Sequence, residues 1–250
     1  MVRDDKKIGD SFMAKSTLIT TSNIYNSLQD ALNKKATKGV LQGQRKLTKG
    51  LHGKRVVFFS SKKNSALMPC ESRLEADNCL NLELNDDVIQ YRTQPISFNL
   101  GLGQSYTPDS VHFDNTGTII VREAKISKVL KTPALLERLT RIRNILFDQK
   151  IHFHVITEKE LQQQPQLDNQ KLLYRYSSHN FSNEKLARQA KFFREQKVLT
   201  LTLKEFRELC VEHSLVPQFA DILILHGFAR YDETKPLNPN SEVSLIGGVK

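Results

Sequence analysis

The sequence predicts an α/β fold, with a mixed-sheet core followed by a smaller helical domain. Three observations lead there. Thr118–Ile126, Pro133–Gln149 and Ile151–Thr157 read as strand, helix, strand, an order that implies a right-handed crossover and a parallel pair. Tyr106–Phe113 and Thr118–Ile126 flank Asn115-Thr116-Gly117, a turn-forming triplet whose glycine accepts a positive φ, so they form an antiparallel hairpin. From Asn183 onward the apolar spacing becomes helical.

Taken in order, residues 1–50 are expected to form a basic arm with a helix at Asn23–Lys35. Arg55–Ser60 is a strand leading into a core domain over 51–162. Glu71–Leu84 is helical because Ala76, Cys79, Leu80 and Leu84 recur near i, i+3, i+4 and i+8. Glu75 borders that stripe, which lets its carboxylate point to the sheet edge. Val88–Gln94 and Pro95–Leu100 are strands, and Gly101-Leu102-Gly103 is a loop. Pro133–Gln149 carries Leu135, Leu136, Leu139, Ile142 and Leu146 on one side. Ile151–Thr157 alternates as a strand should. Residues 163–182, rich in Gln, Asn and Ser, are expected to be a linker. The domain at 183–250 has helices at Asn183–Gln196, capped by Ser182, then Thr202–His213 and Pro217–Gly227. Phe228–Tyr231 and Glu242–Ile246 read as a wing hairpin, which makes this C-terminal domain winged-helix-like.

Composition excludes several classes. A chain of 250 residues with 39% apolar content can bury a core for one large domain or two. No apolar run is long enough for a bilayer-spanning helix, so no membrane partner is expected. Met1-Val2-Arg3-Asp4-Asp5-Lys6-Lys7 is not followed by an apolar segment and does not read as a signal peptide. Cys70, Cys79 and Cys210 are odd in number and lack CxxC spacing, which fits reduced cytosolic thiols buried as small apolar residues. Charge is uneven. Residues 1–65 hold 14 Lys/Arg against 4 Asp/Glu, and residues 66–250 hold 23 of each. Clustered basic charge is the footprint of phosphate contact, and its bland alternative is a solvated tail. Lys34–Lys38 and Gln42–Gly50 read as exposed loops within it.

The chemistry concentrates between Tyr106 and Lys125. With a three-residue loop, Asp114 faces Thr118 and Asp109 faces Glu123, about 5 Å apart at Cβ. Glu123 and Lys125 project from one strand face. Two carboxylates that close repel unless a cation or a proton lies between them. Hard oxygen donors favour Mg²⁺, with Mn²⁺ able to substitute.

Asp109 followed by Glu123-Ala124-Lys125 resembles the PD-(D/E)xK nuclease motif. The flanks resemble one branch of it: Glu71-Ser72-Arg73-Leu74-Glu75, then Leu82–Pro95, and downstream Val155-Ile156-Thr157-Glu158-Lys159-Glu160. This order of blocks, covering roughly residues 55–160, is similar to the TnsA family, the endonuclease subunits of heteromeric bacterial transposases. The resemblance implies a restriction-endonuclease-like core in which Glu75, Asp109 and Glu123 hold Mg²⁺, which polarises phosphate and activates water. Lys125 would orient that water or stabilise phosphorane charge. Relatives often carry Gln where this chain has Glu123. The implied job is cutting the 5′ strands at transposon ends, leaving 3′-hydroxyl and 5′-phosphate. The implied partners are DNA, a TnsB-type transposase and a TnsC-type AAA+ regulator, in the bacterial cytoplasm at the nucleoid.

Other readings stay open from sequence. Glu75 is also consistent with a helix-surface carboxylate, Asp109 with a turn former after Pro108, and Lys125 with simple pairing to Glu123. Gln94 is a candidate substrate contact or an edge-strand support, and Lys128, Lys131, Arg138, Arg141 and Arg143 form a basic stretch placed to grip the phosphates of the cut strand. Its alternative is the solvated face of the 133–149 helix. His152 and His154 share a strand face but lack a third metal ligand. The competing functions are a free-standing restriction or repair nuclease and a noncatalytic DNA-binding adaptor.

Overall fold

A computed structural model of the chain describes residues 20, 23–44, 56–179, 181–196 and 200–246. The basic segment Arg45–Arg55 and the charges before residue 20 lie outside the described residues. The elements run α1 (Ile24–Asn33), β1 (Val57–Ser61), β2 (Ala66–Cys70), α2 (Arg73–Leu84), β3 (Val88–Thr93), β4 (Phe98–Gly101) and β5 (Gln104–Tyr106). They continue with β6 (Ser110–Asp114), β7 (Ile119–Lys125), α3 (Pro133–Asp148), β8 (His152–Thr157), α4 (Glu158–Leu161) and α5 (Gln166–Tyr174). The chain then forms α6 (Asn183–Glu195), β9 (Thr200–Thr202), α7 (Leu203–Glu212), α8 (Phe219–Leu225), β10 (Ala229–Tyr231) and β11 (Glu242–Leu245).

The architecture is mixed α/β. A four-stranded sheet in the order β3-β6-β7-β8 is antiparallel except for the parallel β7–β8 pair, which α3 connects. On one sheet face Val111, Ile119 and Val121 pack with Leu139, Ile142 and Leu146 of α3 and with Ile24, Leu28 and Leu32 of α1. On the other lies α2, whose Cys79 and Leu82 meet Met68 and Cys70 of the β1–β2 hairpin and Tyr91 of β3. All three cysteines are buried thiols.

Two expectations need correction and one gains detail. The helix expected at Asn23–Lys35 in the basic arm forms over Ile24–Asn33 and packs into the core. Ile24, Leu28 and Leu32, spaced four apart, are buried, and Arg92 Nη2 and Gln90 Nε2 donate to the carbonyl of Leu32 at the helix end. Lys34–Lys38 beyond it is exposed, as expected. Tyr106–Phe113 is not one strand. Pro108, lacking an N–H, interrupts the ladder, so β5 pairs with β4 while β6 pairs with β3 and β7. The expected linker at 163–182 contains helix α5, which buries Leu167 and Leu173. Its Asn169 amide donates to the carbonyl of Lys235 at 2.8 Å and accepts from the Leu237 N–H at 2.7 Å.

The C-terminal elements alternate as helix, strand, helix, helix, strand, strand, and their sheet order is β10-β11-β9. Phe193, Phe206, Phe219, Ile222 and Leu223 fill the core between them. The Ser182 hydroxyl caps α6 by accepting from the Lys185 N–H, and Thr202 with Glu205 forms a reciprocal cap on α7. Asp221, fully buried, takes a two-pronged contact from Arg207 at 2.9 and 2.6 Å.

Candidate active site

The hairpin register is the one its loop length predicts. Ser110 stands opposite Arg122 and Phe113 opposite Ile119, and the Asp114 N–H donates to the Thr118 carbonyl. Extending that register one residue past Ser110 sets Asp109 beside Glu123. The Ala124 N–H donates to Asp109 Oδ2 at 2.9 Å, which ties the aspartate to the end of β7. Lys125 Nζ reaches Glu123 Oε1 at 2.7 Å and Asp109 Oδ2 at 3.4 Å, so its ammonium lies between the two carboxylates.

Glu75 comes from the first turn of α2. The helix starts at Arg73 because the Ser72 hydroxyl accepts from the Glu75 N–H at 3.1 Å. The Glu75 carboxylate accepts from the Glu71 N–H at 2.9 Å and from the Ser72 hydroxyl at 3.0 Å. One cleft of about 290 Å³ is lined by Glu71, Glu75, Asp109, Glu123, Lys125 and Arg138, among others. All four predicted catalytic residues therefore share one cavity. Among the described residues, however, no group of three or more His, Cys, Asp or Glu is drawn together as a metal cage. Asp109 and Glu123 are assembled through Lys125, whereas Glu75 is held back by its own helix start.

The electrostatics are unbalanced. Burial, then the neighbouring Glu123 charge, pushes the Asp109 carboxyl up to about 7 despite the opposing Lys125. Burial also raises Glu75, against the hydrogen bonds from Glu71 and Ser72. Burial works against the Lys125 charge, but Asp109 and Glu123 outweigh it and hold its pKa above the ordinary lysine value. Among the described residues the cleft lining holds four carboxylates, of Glu71, Glu75, Asp109 and Glu123, against Lys125 and Arg138, a local excess of negative charge. That excess and the all-oxygen donor set fit a hard divalent cation.

One neighbour was not anticipated, and one of the basic residues read from sequence reaches the cleft. Tyr106, buried at the end of β5, donates its hydroxyl to Glu123 Oε2 at 2.7 Å. Burial, then the Glu123 charge, keeps that phenol protonated by raising its pKa well above the ordinary value. The signal was present as Tyr106 ahead of Pro108, but a continuous strand hid it. Arg138 of α3 reaches the cleft rim and donates to the Ser105 carbonyl at 3.1 Å.

The substrate-contact candidates separate. Gln94 is buried, with φ of 45°, and does not line the cleft, which favours its structural role over a substrate contact. Its N–H donates to the Asp109 carbonyl at 3.1 Å, and Gly43 presses so closely on it that a Cβ at 43 would lie 2.7 Å from Gln94 Cβ. Lys128 and Lys131 are exposed on the turn after β7, outside the cleft lining. His154 Nε2 approaches Glu160 Oε1 at 3.6 Å, with both side chains half-exposed.

The opposite sheet face clamps α2 to strands β6 and β7. Arg122 Nη1 donates to Asn81 Oδ1 at 2.8 Å, and Asn78 Nδ2 donates to the Ser110 hydroxyl at 2.8 Å. Burial, then the Arg122 charge, depresses the neighbouring His112 to about 3. Among the described residues, no helix is long and apolar enough to cross a membrane. No protein-family model matches this chain, and no curated protein matches it.

Proposed function

We propose that this chain is a divalent-cation-dependent DNA endonuclease subunit with a restriction-endonuclease-like core, of the kind the TnsA resemblance implies. The observation that carries the reading is Lys125 bridging Asp109 and Glu123 at the ends of two paired strands, with Glu75 on the same cleft wall. Asp109, Glu123 and Glu75 would hold Mg²⁺ or Mn²⁺, which would supply Lewis acidity toward a nonbridging phosphate oxygen. Lys125 then turns from its carboxylates to orient water and meet the charge that develops on the phosphoryl oxygens. Tyr106 fixes the Glu123 carboxylate through its second oxygen, so the strand end keeps one geometry while Lys125 moves. Arg138 at the rim meets a neighbouring phosphate.

The C-terminal order of helices and strands supports a winged-helix-like domain that binds DNA, a TnsC-type AAA+ regulator, or both. A TnsB-type transposase would place the transposon ends, and the substrate strands would be the 5′ strands at those ends. The site of action would be the bacterial cytoplasm.

The test is strand nicking in Mn²⁺, with and without a TnsB-type transposase. Asp109→Ala and Lys125→Ala are expected to abolish nicking and leave assembly intact. Unchanged cleavage by either variant refutes the assignment. Full activity without any transposase would support a free-standing nuclease on the same core.

A further inference from the structure

The β4–β5 hairpin beside the cleft carries a feature that the cutting chemistry leaves unused. Its base is fixed: Phe98, Leu100 and Tyr106 are buried, and Phe98 meets Tyr106 edge to face at 5.3 Å between centroids. Its tip is the opposite. Leu102 is 88% exposed, the most exposed large apolar side chain among the described residues. It is also in the left-handed region, at φ of 52°, between Gly101 at 81° and Gly103 at 70°. Glycine or asparagine suits such a position better than a γ-branched residue. The Leu102 side chain, almost entirely exposed, gains little from packing against the protein in return.

The surroundings are cationic and close to the site. Ser105, Tyr106 and Thr107, on the hairpin's second half, line the catalytic cleft. Arg138 donates to the Ser105 carbonyl, and Arg141 Nη2 lies 3.0 Å from where a Cβ on Gly101 would stand. Two guanidinium groups from α3 therefore flank the hairpin at its base and near its tip. A rigid hairpin with an apolar point and arginines along its side has the chemistry of a side chain inserted into a nucleic-acid groove. The apolar tip presses against or between base steps, and the arginines hold the adjoining phosphates.

We infer that the β4–β5 hairpin is a duplex-DNA wedge: Leu102 enters a groove next to the scissile phosphate while Arg138 and Arg141 hold the backbone on either side. This rests on the endonuclease reading of the adjacent cleft. Local unstacking at the wedge would present one strand to Asp109, Glu123 and Lys125, and steps that unstack easily would be preferred near the cut.

The full chain is titrated with a short duplex carrying 2-aminopurine beside TA steps, over a range of salt concentrations, and nicking is followed in Mn²⁺. Leu102→Asn is the variant of choice because asparagine tolerates the left-handed backbone and preserves the fold. It is expected to lower duplex affinity about tenfold and remove the 2-aminopurine fluorescence rise, with an unchanged salt slope. Arg138→Gln is expected to reduce that salt slope by about one. If the parent nicks the duplex and Leu102→Asn binds it with equal affinity and equal fluorescence rise, the wedge is wrong and the cleft assignment stands. If the parent neither binds nor nicks duplex, with or without a TnsB-type transposase, both readings fall.

Discussion

Two aspartates, one fully buried and one partly exposed, show how differently the two halves of this chain use charge. Asp221 in the C-terminal helical region is fully buried and meets both prongs of Arg207, one carboxylate against one guanidinium. Asp109 in the sheet domain shares one ammonium with Glu123, has Glu75 on the same wall, and is pushed up to about 7. The first arrangement is self-sufficient. The second has, among the described residues, fewer cations than carboxylates. A carboxylate left under-matched is relieved by a proton or by an incoming cation, and the proposed function assigns this site the cation.

The largest effect that contrast predicts is on chemistry. Asp109→Ala should cut nicking by about three orders of magnitude, ~4 kcal/mol of barrier, while the melting temperature stays the same or rises. A large fall in melting temperature would mean that Asp109 is structural like Asp221. The reciprocal change is Arg207→Met, which strands Asp221 without a partner. It should cost about 3 kcal/mol of stability by denaturant unfolding, because a buried unpaired carboxylate is left behind. A loss under ~1 kcal/mol would show that water replaces the guanidinium, and would weaken the contrast.

How much of this was legible in the sequence follows from where the physics is local. The register that sets Asp109 beside Glu123 comes from counting across Asn115-Thr116-Gly117. The start of α6 at Ser182 follows from hydroxyl capping, whereas the helix read from Glu71 starts at Arg73, after a Ser72 cap that the apolar spacing does not show. The misses are non-local. Helix α5 looked like a linker because its Gln and Asn residues are polar, yet Asn169 is buried where the 235–237 backbone offers both a donor and an acceptor. Gln94, beside Pro95 in a block that resembles the family pattern, is open in the sequence between a contact and a structural role. The chain brings Gly43 and Asp109 onto its backbone from both sides. Tyr106 became visible as the Glu123 partner only once Pro108 was seen to turn β5 away from β6.

Smaller effects refine the comparison. Tyr106→Phe removes one hydrogen bond to Glu123 and should slow nicking about tenfold, near 1.4 kcal/mol, with little change in stability. An unchanged rate would show that Glu123 is held by Lys125 alone. Ser72→Ala should cost about 1 kcal/mol through loss of the α2 cap and also free the Glu75 carboxylate, so cation affinity should change along with stability. A stability change alone would separate Glu75 from the site. Acid sensitivity comes from the sheet's other face and is read only below neutral pH. His112 titrates at about 3 in the fold, against the ordinary value of 6.5. Its neutral form stabilises the fold above the unfolded value, and that contribution is lost as pH falls from about 6.5 toward 3. His112→Phe should flatten that part of the stability profile, and an unaltered profile would place the sensitivity elsewhere.

Calorimetric titration of Mg²⁺ and Mn²⁺ into the full chain above and below pH 7 addresses the charge imbalance most directly. The account predicts saturable binding that is tighter above about 7, where Asp109 has lost its proton, and that is lost in both Asp109→Asn and Glu123→Gln. Binding of equal strength in the parent and both variants, or none in the parent at any pH, would contradict it.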